Sequence, residues 1–396
     1  MIGKIMAMAC MGLAFAGGSA SLKAAPALDG DTVVVFRAGD NGYDNYRIPS
    51  VITTRDGSLV AFAEARRSMS DAGDIDLVCK RSTDGGKTWS AQQVVWDDGA
   101  NTCGNPCPVV DRKTGAILLL MTHNLGTDRE KAIIRGSSRE SRTVWICEST
   151  DNGASWSTPR EITAEVKDPS WGWYATGPGI GIQILHGPHR GRLVIPADFS
   201  YRDTSAAAAV SYQYGSCGFY SDDDGKTWHP GGTITPKVNE CQVAELPGRN
   251  GTLMMNMRSY FGRHCRAVAT SLDGGAHWSP PVDAPELIEP VCQASFLLYR
   301  GRSRRKDCLL FLNPASATSR SNMTLRASFD RGRSWPQSKM LYAGPSAYSS
   351  LTELPSGEIG ALYEGGVKSP YEYIVFQTIR PYELFQGSAR KAKKNK

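Results

Sequence analysis

Three arginines occupy settings in the sequence that could build a site for an anion. Arg47 begins an Arg-Ile-Pro segment, Arg258 follows the methionine-rich run 253–257, and Arg320 follows the polar run 313–319. Each guanidinium is a planar fork of N–H donors that binds a carboxylate through two parallel hydrogen bonds. An arbitrary arginine is usually a solvated surface charge. The three therefore carry chemistry only if the fold brings them to one point.

A polar segment, residues 66–76, offers carboxylates for proton transfer. It contains Asp71, Asp74 and Asp76 and lies between two strand-like runs. A carboxylic acid beside a leaving oxygen can give up a proton and later take one from water. The alternative interpretation is that these are solvated loop carboxylates.

Cofactor and metal motifs are missing from the sequence. Cys103 and Cys107 have no second closely spaced Cys or His pair, and His186 and His189 only flank a Gly-Pro turn. No glycine-rich nucleotide loop and no Ser-His-Asp arrangement occurs. We therefore expect no cofactor and no metal ion.

One eight-residue pattern, Ser-x-Asp-x-Gly-x-x-Trp, recurs five times along the chain. Ser and Asp bond backbone amides, Gly supplies positive φ, and Trp packs against a sheet, so the pattern predicts a turn. Because the pattern repeats, we expect its aspartates to serve the fold and not catalysis. The aspartates are 67, 72, 50 and 57 residues apart: Asp84, Asp151, Asp223, Asp273 and Asp330.

The segments between these turns have the lengths of strands. Runs such as 58–63, 117–121 and 308–312 are short and apolar or alternating, and no sustained helical period appears. Residues 28–386 leave room for six units of about 60 residues, each the length of a four-stranded antiparallel sheet. The predicted fold is an all-β, six-bladed β-propeller.

The repeated turn, together with the segment Tyr46-Arg47-Ile48-Pro49, resembles the sialidase family, in which the turn is called an Asp box. The resemblance covers essentially the whole chain after its N-terminal segment. It implies a retaining exo-sialidase that releases terminal α-linked sialic acids from glycoproteins, mucins or glycolipids. Such a sugar carries a carboxylate at the anomeric carbon, so its site must hold an anion beside a centre that becomes positive.

The resemblance also implies roles for the conspicuous residues. Arg47, Arg258 and Arg320 match the family's arginine triad, and Tyr348 matches its nucleophile. A neutral nucleophile makes physical sense, because a charged one would be repelled by the substrate carboxylate. Glu240, 18 residues before Arg258, matches the glutamate that takes the phenol proton.

The proton donor and the supporting contacts follow by the same resemblance. The family's acid lies about five residues after an arginine that closes a strand, so Arg66 implies Asp71, with Asp74 as the alternative. Arg66 then resembles the fourth arginine of the pocket, and Arg67 would point away. As further matches we expect Glu364 to orient Arg47, Asn105 to contact substrate, and Gln293 either to line the pocket or to pack within its strand.

Glu245 is the local alternative to Glu240. The two are five residues apart, so on one strand their side chains are expected on opposite faces. This parity favours Glu240 as the base.

The N-terminus predicts export. Lys4, the apolar run 5–17 and the small residues 18–20 are typical of a signal peptide, which we place at residues 1–25. The catalytic domain would span 26–386, and the tail 387–396 is basic and expected to be disordered. The destination would be the periplasm or the outside of the cell.

Charge and cysteine content limit the partners. Of the net charge of +6, five charges lie in residues 390–396, so the body is near neutral and not suited to nucleic acid. No later segment is long and apolar enough to span a membrane. Nine cysteines follow Cys10, an odd count scattered in strand-like runs, for which we expect buried free thiols. We expect a monomer whose partners are sialylated glycans.

Two other functions remain open from the sequence. A trans-sialidase or an anhydro-forming relative shares every catalytic residue and differs in how water is excluded. A non-catalytic glycan-binding propeller would keep the turns, but it would not need Asp71, Glu240 and Tyr348.

Overall fold

The computed structural model describes residues 32–204, 211–301 and 307–385. The predicted signal peptide (1–25), Cys10 and the basic tail (387–396) lie outside these residues. Among the described helices, none is long and apolar enough to cross a membrane. The nine described cysteines are buried and unpaired, as the sequence led us to expect.

Strands supply almost all of the regular structure in the described segments, which confirms the prediction of an all-β fold. Short runs rich in β-branched and aliphatic residues, bounded by Gly, Asp and Asn, favour this outcome. The first twelve strands are β1 (Thr32–Arg37), β2 (Asn45–Thr53), β3 (Leu59–Arg66), β4 (Ile75–Ser82), β5 (Gln93–Trp96), β6 (Thr102–Val110), β7 (Ile117–Asn124), β8 (Thr143–Ser149), β9 (Arg160–Glu161), β10 (Tyr174–Thr176), β11 (Ile182–Gln183) and β12 (Leu193–Asp203).

The second half of the chain continues in the same way. The described helical segments are short: a 3₁₀ turn (Asp40–Gly42), α1 (Glu130–Arg135), α2 (Thr163–Val166) and residues 381–385. The remaining strands are β13 (Ser211–Ser221), β14 (His229–Ile234), β15 (Val238–Glu245), β16 (Leu253–Ser259), β17 (Cys265–Ser271), β18 (Val282–Ile288), β19 (Ser295–Tyr299), β20 (Cys308–Pro314), β21 (Ser321–Ser328), β22 (Gln337–Glu353), β23 (Ile359–Gly365) and β24 (Tyr373–Ile379).

The strands form six antiparallel groups in chain order. Strands β2 to β5 and β6 to β9 are joined into one sheet by a single parallel bridge, Ile75 to Thr102. Strands β10 to β14 and β15 to β18 form separate sheets. The last sheet contains two groups, because the 17-residue β22 pairs with β21 through its first half and with β23 through its second half. Strand β1 closes the final group by pairing with β24.

One strand of each group, the first in every group except the third, faces the corresponding strands of its neighbours. Strand β2 contacts β6 and β22, β15 contacts β12 and β19, and β19 contacts β22. Apolar layers fill the space between groups; for example, Leu120, Ile146, Ile195 and Phe219 belong to one buried cluster between the second and third groups. Each such side chain contributes about 1.5–3 kcal/mol by burial. The interior strands are therefore held rigidly, and their ends can position side chains.

The five repeated patterns are turns, as predicted, and each lies between the last two strands of its group. In every copy the serine Oγ donates to the aspartate Oδ1 at 2.8 Å and accepts the N–H of a glycine at 2.8–2.9 Å. Gly86 has φ 90°, and a Cβ there would lie 2.1 Å from the Phe376 ring. The hydrogen bonds thus close within the turn, and the glycine lets it pack closely on the neighbouring sheet.

Candidate active site

Four inner strands carry a β-bulge at the same end of the sheets. The ladders of β2, β6, β15 and β22 shift register at residues 47–50, 104–107, 238–241 and 346–349. A bulge inserts an extra residue and re-aims side chains, which is why bulges are common beside active sites. Each of these four bulges contains one residue that the sequence singled out: Arg47, Asn105, Glu240 and Tyr348.

Two bulged residues have left-handed backbone conformations. Ile48 has φ 56° and Asn105 has φ 53°. Strain of this kind is typically about 1–3 kcal/mol and persists only where neighbours enforce it. Glutamates enforce it here: the Ile48 N–H donates to Glu364 Oε1 at 3.0 Å, and the Asn105 N–H donates to Glu64 Oε1 at 2.7 Å.

Tyr348 and Glu240 are in direct contact. The Tyr348 hydroxyl donates to Glu240 Oε1 at 2.5 Å, and both residues are buried. Arg258 Nη1 donates to Glu240 Oε2 at 2.7 Å and lies 3.4 Å from the Tyr348 hydroxyl oxygen. Burial and then the Glu240 charge raise the pKa of Tyr348 well above its usual value, against the opposing effect of Arg258 and Arg320. The phenol therefore holds its proton and points it at a carboxylate.

All three arginines of the predicted triad surround this tyrosine. The guanidinium carbon of Arg47 lies 5.1 Å from the Tyr348 ring centroid, and that of Arg320 lies 5.6 Å from it. Arg258 approaches the hydroxyl, as described above. Residues more than 200 positions apart in the chain thus converge on one aromatic ring.

Glu364 links the Arg47 and Tyr348 strands. Its Oε1 accepts Arg47 Nε at 2.7 Å, and its Oε2 accepts the Tyr348 N–H at 3.0 Å. The carboxylate has no solvent exposure. One buried anion therefore orients Arg47 and fixes the backbone that carries Tyr348.

Asp71 is the aspartate of the 66–76 segment that reaches the arginine cluster. Arg66 Nη1 donates to its Oδ1 at 2.7 Å, and the side chain is 60% exposed. The Arg66 charge and hydrogen bond, helped by Arg47 and Arg142, outweigh burial and lower the pKa of Asp71 below its usual value. Its carboxylate is thus ionised but open to a ligand.

The other two aspartates of that segment have different partners. Asp74 lies 3.8 Å from Arg67 Nε at the surface. Asp76 accepts the Tyr43 hydroxyl at 2.5 Å, and burial raises the pKa of Asp76 to about 6. Arg67 stacks on Tyr43, 4.5 Å from the ring centroid, and donates to a carbonyl. Neither Asp74 nor Asp76 contacts the arginines around Tyr348.

Asn105 presents half of its amide to the site. Its Oδ1 accepts Arg142 Nη2 at 2.5 Å and Thr122 Oγ1 at 3.1 Å. The Nδ2 group makes no hydrogen bond to any described residue. The amide is therefore oriented with its donor available.

Both polar atoms of the Gln293 side chain form hydrogen bonds within the protein. Its Nε2 donates to the carbonyls of Pro178 and Ser349, both at 3.0 Å, and its Oε1 accepts the Ser349 N–H at 2.9 Å. Of the two roles open from the sequence, the geometry favours strand packing over substrate contact, because every polar atom of the side chain already has a backbone partner beside Tyr348.

Glu245 lies at the opposite end of β15 from Glu240. Its oxygens accept the Leu185 N–H at 2.7 Å and His186 Nδ1 at 2.8 Å. It lines a separate cavity of about 710 Å³ where the inner strands end. It is therefore remote from Tyr348.

Three charged residues of the site were not found from the sequence. Glu64 accepts Arg66 Nε at 2.8 Å in addition to the Asn105 N–H. Arg142 is buried, stacks 4.1 Å from the Trp173 ring centroid, and has a pKa that burial lowers to about 10. Asp198 is buried, and burial and then the Glu240 charge raise its pKa well above the usual value. A charge inside a strand-like apolar run is the signal that could have indicated Glu64 and Asp198.

The charges of the site sum to a small positive value. Five arginines stand beside four carboxylates that form ion pairs with them, and the formal charges leave 5 − 4 = +1: Arg47, Arg66, Arg142, Arg258 and Arg320, with Glu64, Asp71, Glu240 and Glu364. A site with one excess positive charge suits a ligand with one negative charge.

Comparisons with known proteins agree with this arrangement. Residues 57–361 match the family described as BNR repeat-like domain. A sialidase of Micromonospora viridifaciens is 36% identical over 353 residues, 84% of this chain and 52% of that protein. A sialidase of Bacteroides fragilis is 33% identical over 374 residues, 89% of this chain and 65% of that protein. The chain thus spans between about half and two thirds of the length of these relatives.

A solved structure shows the same similarity in three dimensions. The Hadza microbial sialidase Hz136 matches with a TM-score of 0.78 at 34% identity, covering 89% of this chain and 69% of that one. Identity at this level over most of the chain, with the domain match across the sheets, confirms the resemblance that the turns and the Arg-Ile-Pro segment indicated. The chain belongs to the sialidase family.

Proposed function

We propose that the protein is a retaining exo-sialidase that hydrolyses terminal α-linked sialic acids from sialylated glycans. The observation that carries this proposal is the convergence of Arg47, Arg258 and Arg320 on Tyr348, whose hydroxyl donates to Glu240. Three guanidinium groups provide for a substrate carboxylate, and the phenol beside them provides a neutral nucleophile.

We also propose that the six strand groups are the blades of a six-bladed β-propeller. Three observations support this: the groups follow one another in chain order, neighbouring groups contact each other through one strand each (β2, β6, β12, β15, β19 and β22), and β1 completes the last group by pairing with β24. In such an arrangement the bulged strand ends would surround the central axis.

The proposed first step breaks the glycosidic bond. The Tyr348 oxygen bonds to the anomeric carbon as its proton passes to Glu240, and Asp71 gives a proton to the leaving oxygen. Positive charge that develops at the anomeric carbon is offset by the adjacent substrate carboxylate, which the arginines hold in place. In the second step water attacks the same carbon, Asp71 takes the water proton, and Glu240 returns the proton to Tyr348.

Asp71 must gain a proton before it can act as the acid. In the free protein Arg66 holds its pKa low. A bound sugar would cover the exposed carboxylate and remove water from it, and burial raises the pKa of a carboxyl group. We therefore propose that substrate binding, not the resting site, prepares Asp71 for proton transfer.

Export through the N-terminal segment 1–25 remains part of the proposal, supported by its sequence pattern.

The test of function is hydrolysis of sialyl-lactose followed by proton NMR. The expected first product is the α-anomer of free sialic acid, with the same rate when excess lactose is added. Transfer to lactose, or an anhydro sugar as the product, would favour the other catalytic outcomes; binding without turnover would contradict the proposal.

A further inference from the structure

The three triad arginines differ in what holds them. Arg47 is paired with Glu364 and Arg258 with Glu240. Arg320 has no carboxylate within ion-pair distance among the described residues. Its guanidinium instead meets a neutral side chain, Tyr371, which the sequence had not indicated.

Tyr371 touches two members of the triad. Arg320 Nη1 donates to the Tyr371 hydroxyl oxygen at 2.9 Å, and the Arg47 guanidinium carbon lies 4.2 Å from the Tyr371 ring centroid. Among the described residues, the other hydrogen-bond acceptor of Arg320 is the Val291 carbonyl, at 3.5 Å from Nη2. The Tyr371 hydroxyl is therefore the side-chain group in the described structure that directs Arg320 by a hydrogen bond.

The loop that presents Tyr371 is built to be rigid. The Glu372 carboxylate accepts three successive backbone N–H groups, from residues 367–369, at 2.8–3.0 Å. These bonds lower the pKa of Glu372 despite burial. At the start of the loop the Tyr342 hydroxyl donates to the Gly366 carbonyl at 2.7 Å. Tyr371 is thus held from both sides of the turn.

Because its partner is a neutral phenol, Arg320 keeps the charge and the free N–H donors that a carboxylate partner would take up. A carboxylate would neutralise Arg320 and compete with an incoming carboxylate for its N–H groups. A phenol oxygen accepts one N–H and leaves both the charge and the remaining donors in place. Arg320 is therefore fixed in direction while keeping its full attraction for an anion.

We propose that Tyr371 is a positioning residue that orients Arg320 toward the substrate carboxylate. The inference rests on the proposed sialidase function and names one more residue of that site. Because Arg320 would bind the carboxylate in both the ground state and the transition state, losing its orientation should weaken binding more than it slows the chemical step.

The test is Tyr371→Phe, which keeps the ring over Arg47 and removes only the hydroxyl. Tyr342→Phe is the matched control, because it removes a hydroxyl bond to the same loop without touching an arginine. Binding of the 2,3-unsaturated sialic acid analogue and of its methyl ester is measured by calorimetry, with steady-state kinetics on an aryl sialoside. For Tyr371→Phe we expect about tenfold weaker binding of the free acid and a similar rise in KM, with kcat within about twofold.

The controls separate positioning from simple loosening of the loop. Tyr342→Phe should bind the free acid like the parent, and Tyr371→Phe should bind the ester like the parent. Equal weakening by both variants, or binding of the free acid by Tyr371→Phe within twofold of the parent, would overturn the role of Tyr371. A parent protein that neither binds the analogue nor cleaves the sialoside would overturn the proposed function, and this inference with it.

Discussion

The carboxylates of the repeated turns and those of the bulged strand ends are satisfied in opposite ways. In the turns, Asp223 accepts hydrogen bonds from Ser221 and from both the N–H and the hydroxyl of Thr227, all within four residues. At the site, Glu364 accepts Arg47, 317 positions away. The turn carboxylate accepts hydrogen bonds from neutral donors close to it in the sequence. The site carboxylate forms an ion pair with an arginine far from it in the sequence.

This difference separates structural repetition from chemistry. A turn whose serine, aspartate and glycine bond one another can be copied from group to group, because those hydrogen bonds need no partner outside the turn. The site residues occur once each, since Arg47, Arg258 and Arg320 each depend on a partner from another strand or loop. A substitution in a turn should therefore disturb only the residues around that turn. A substitution of a site carboxylate should disturb the several strands that it links.

The largest effect is expected from Glu364→Ala. The change leaves the buried Arg47 guanidinium without its anion and removes acceptors for two backbone N–H groups, so we expect a loss of about 3–5 kcal/mol in unfolding free energy. Activity should also disappear, because Arg47 and the Tyr348 backbone lose their support. Urea denaturation and sialoside turnover check both effects, with the surface variant Glu358→Ala as control. Stability within about 1 kcal/mol of the parent would contradict the role of Glu364.

Asp71→Ala should affect chemistry and spare the fold. General acid assistance is typically about 10²- to 10⁴-fold, so cleavage of sialyl-lactose should fall by that range. Aryl sialosides with acidic phenols need little protonation and should lose far less. Rates on the two substrates, with Asp74→Ala as the matched variant, give the measurement. Equal losses on both substrates would remove the acid role from Asp71.

Trp228→Ala tests whether the repeated turns stabilise the fold without taking part in catalysis. Trp228 is buried against Phe219, and truncating a buried tryptophan typically costs about 3–5 kcal/mol. Turnover by the folded fraction should stay within about twofold of the parent, because the turn is remote from Tyr348. Thermal unfolding and active-site titration measure the two quantities. Normal melting with lost turnover would show that the turns take part in catalysis.

Asp223→Asn should give the smallest effect, below about 1 kcal/mol, since the amide oxygen can still accept hydrogen bonds. Hydrogen bonds from Thr227 and Ser221 outweigh burial and lower the pKa of Asp223 to about 2 in the folded protein. Its ionised form therefore adds stability above the usual pKa of 3.8, and this is lost as the pH falls toward 2. The stability difference between parent and variant should shrink over that range. A difference that grows on acidification would contradict the assignment.

Local features of this chain could be read from its sequence, and distant pairings could not. The five turns follow from four residue types at fixed spacing, and the strands follow from short apolar runs. The roles expected for Arg47, Glu240 and Tyr348 came from resemblance to a family. The bulge at Ile48 and the contact of Tyr371 with Arg320 depend on strands and loops that meet only in the folded chain, so spacing alone carried no sign of them.

The central claim is that Tyr348 attacks the anomeric carbon with Glu240 as its base. The direct measurement is mass spectrometry of the digested protein after reaction with a fluorinated sialosyl donor, whose fluorine slows hydrolysis of the covalent intermediate. The account predicts one sialosyl adduct on Tyr348, formed more slowly in Glu240→Gln. An adduct on a different residue, or no adduct together with the β-anomer as the first product, would contradict it.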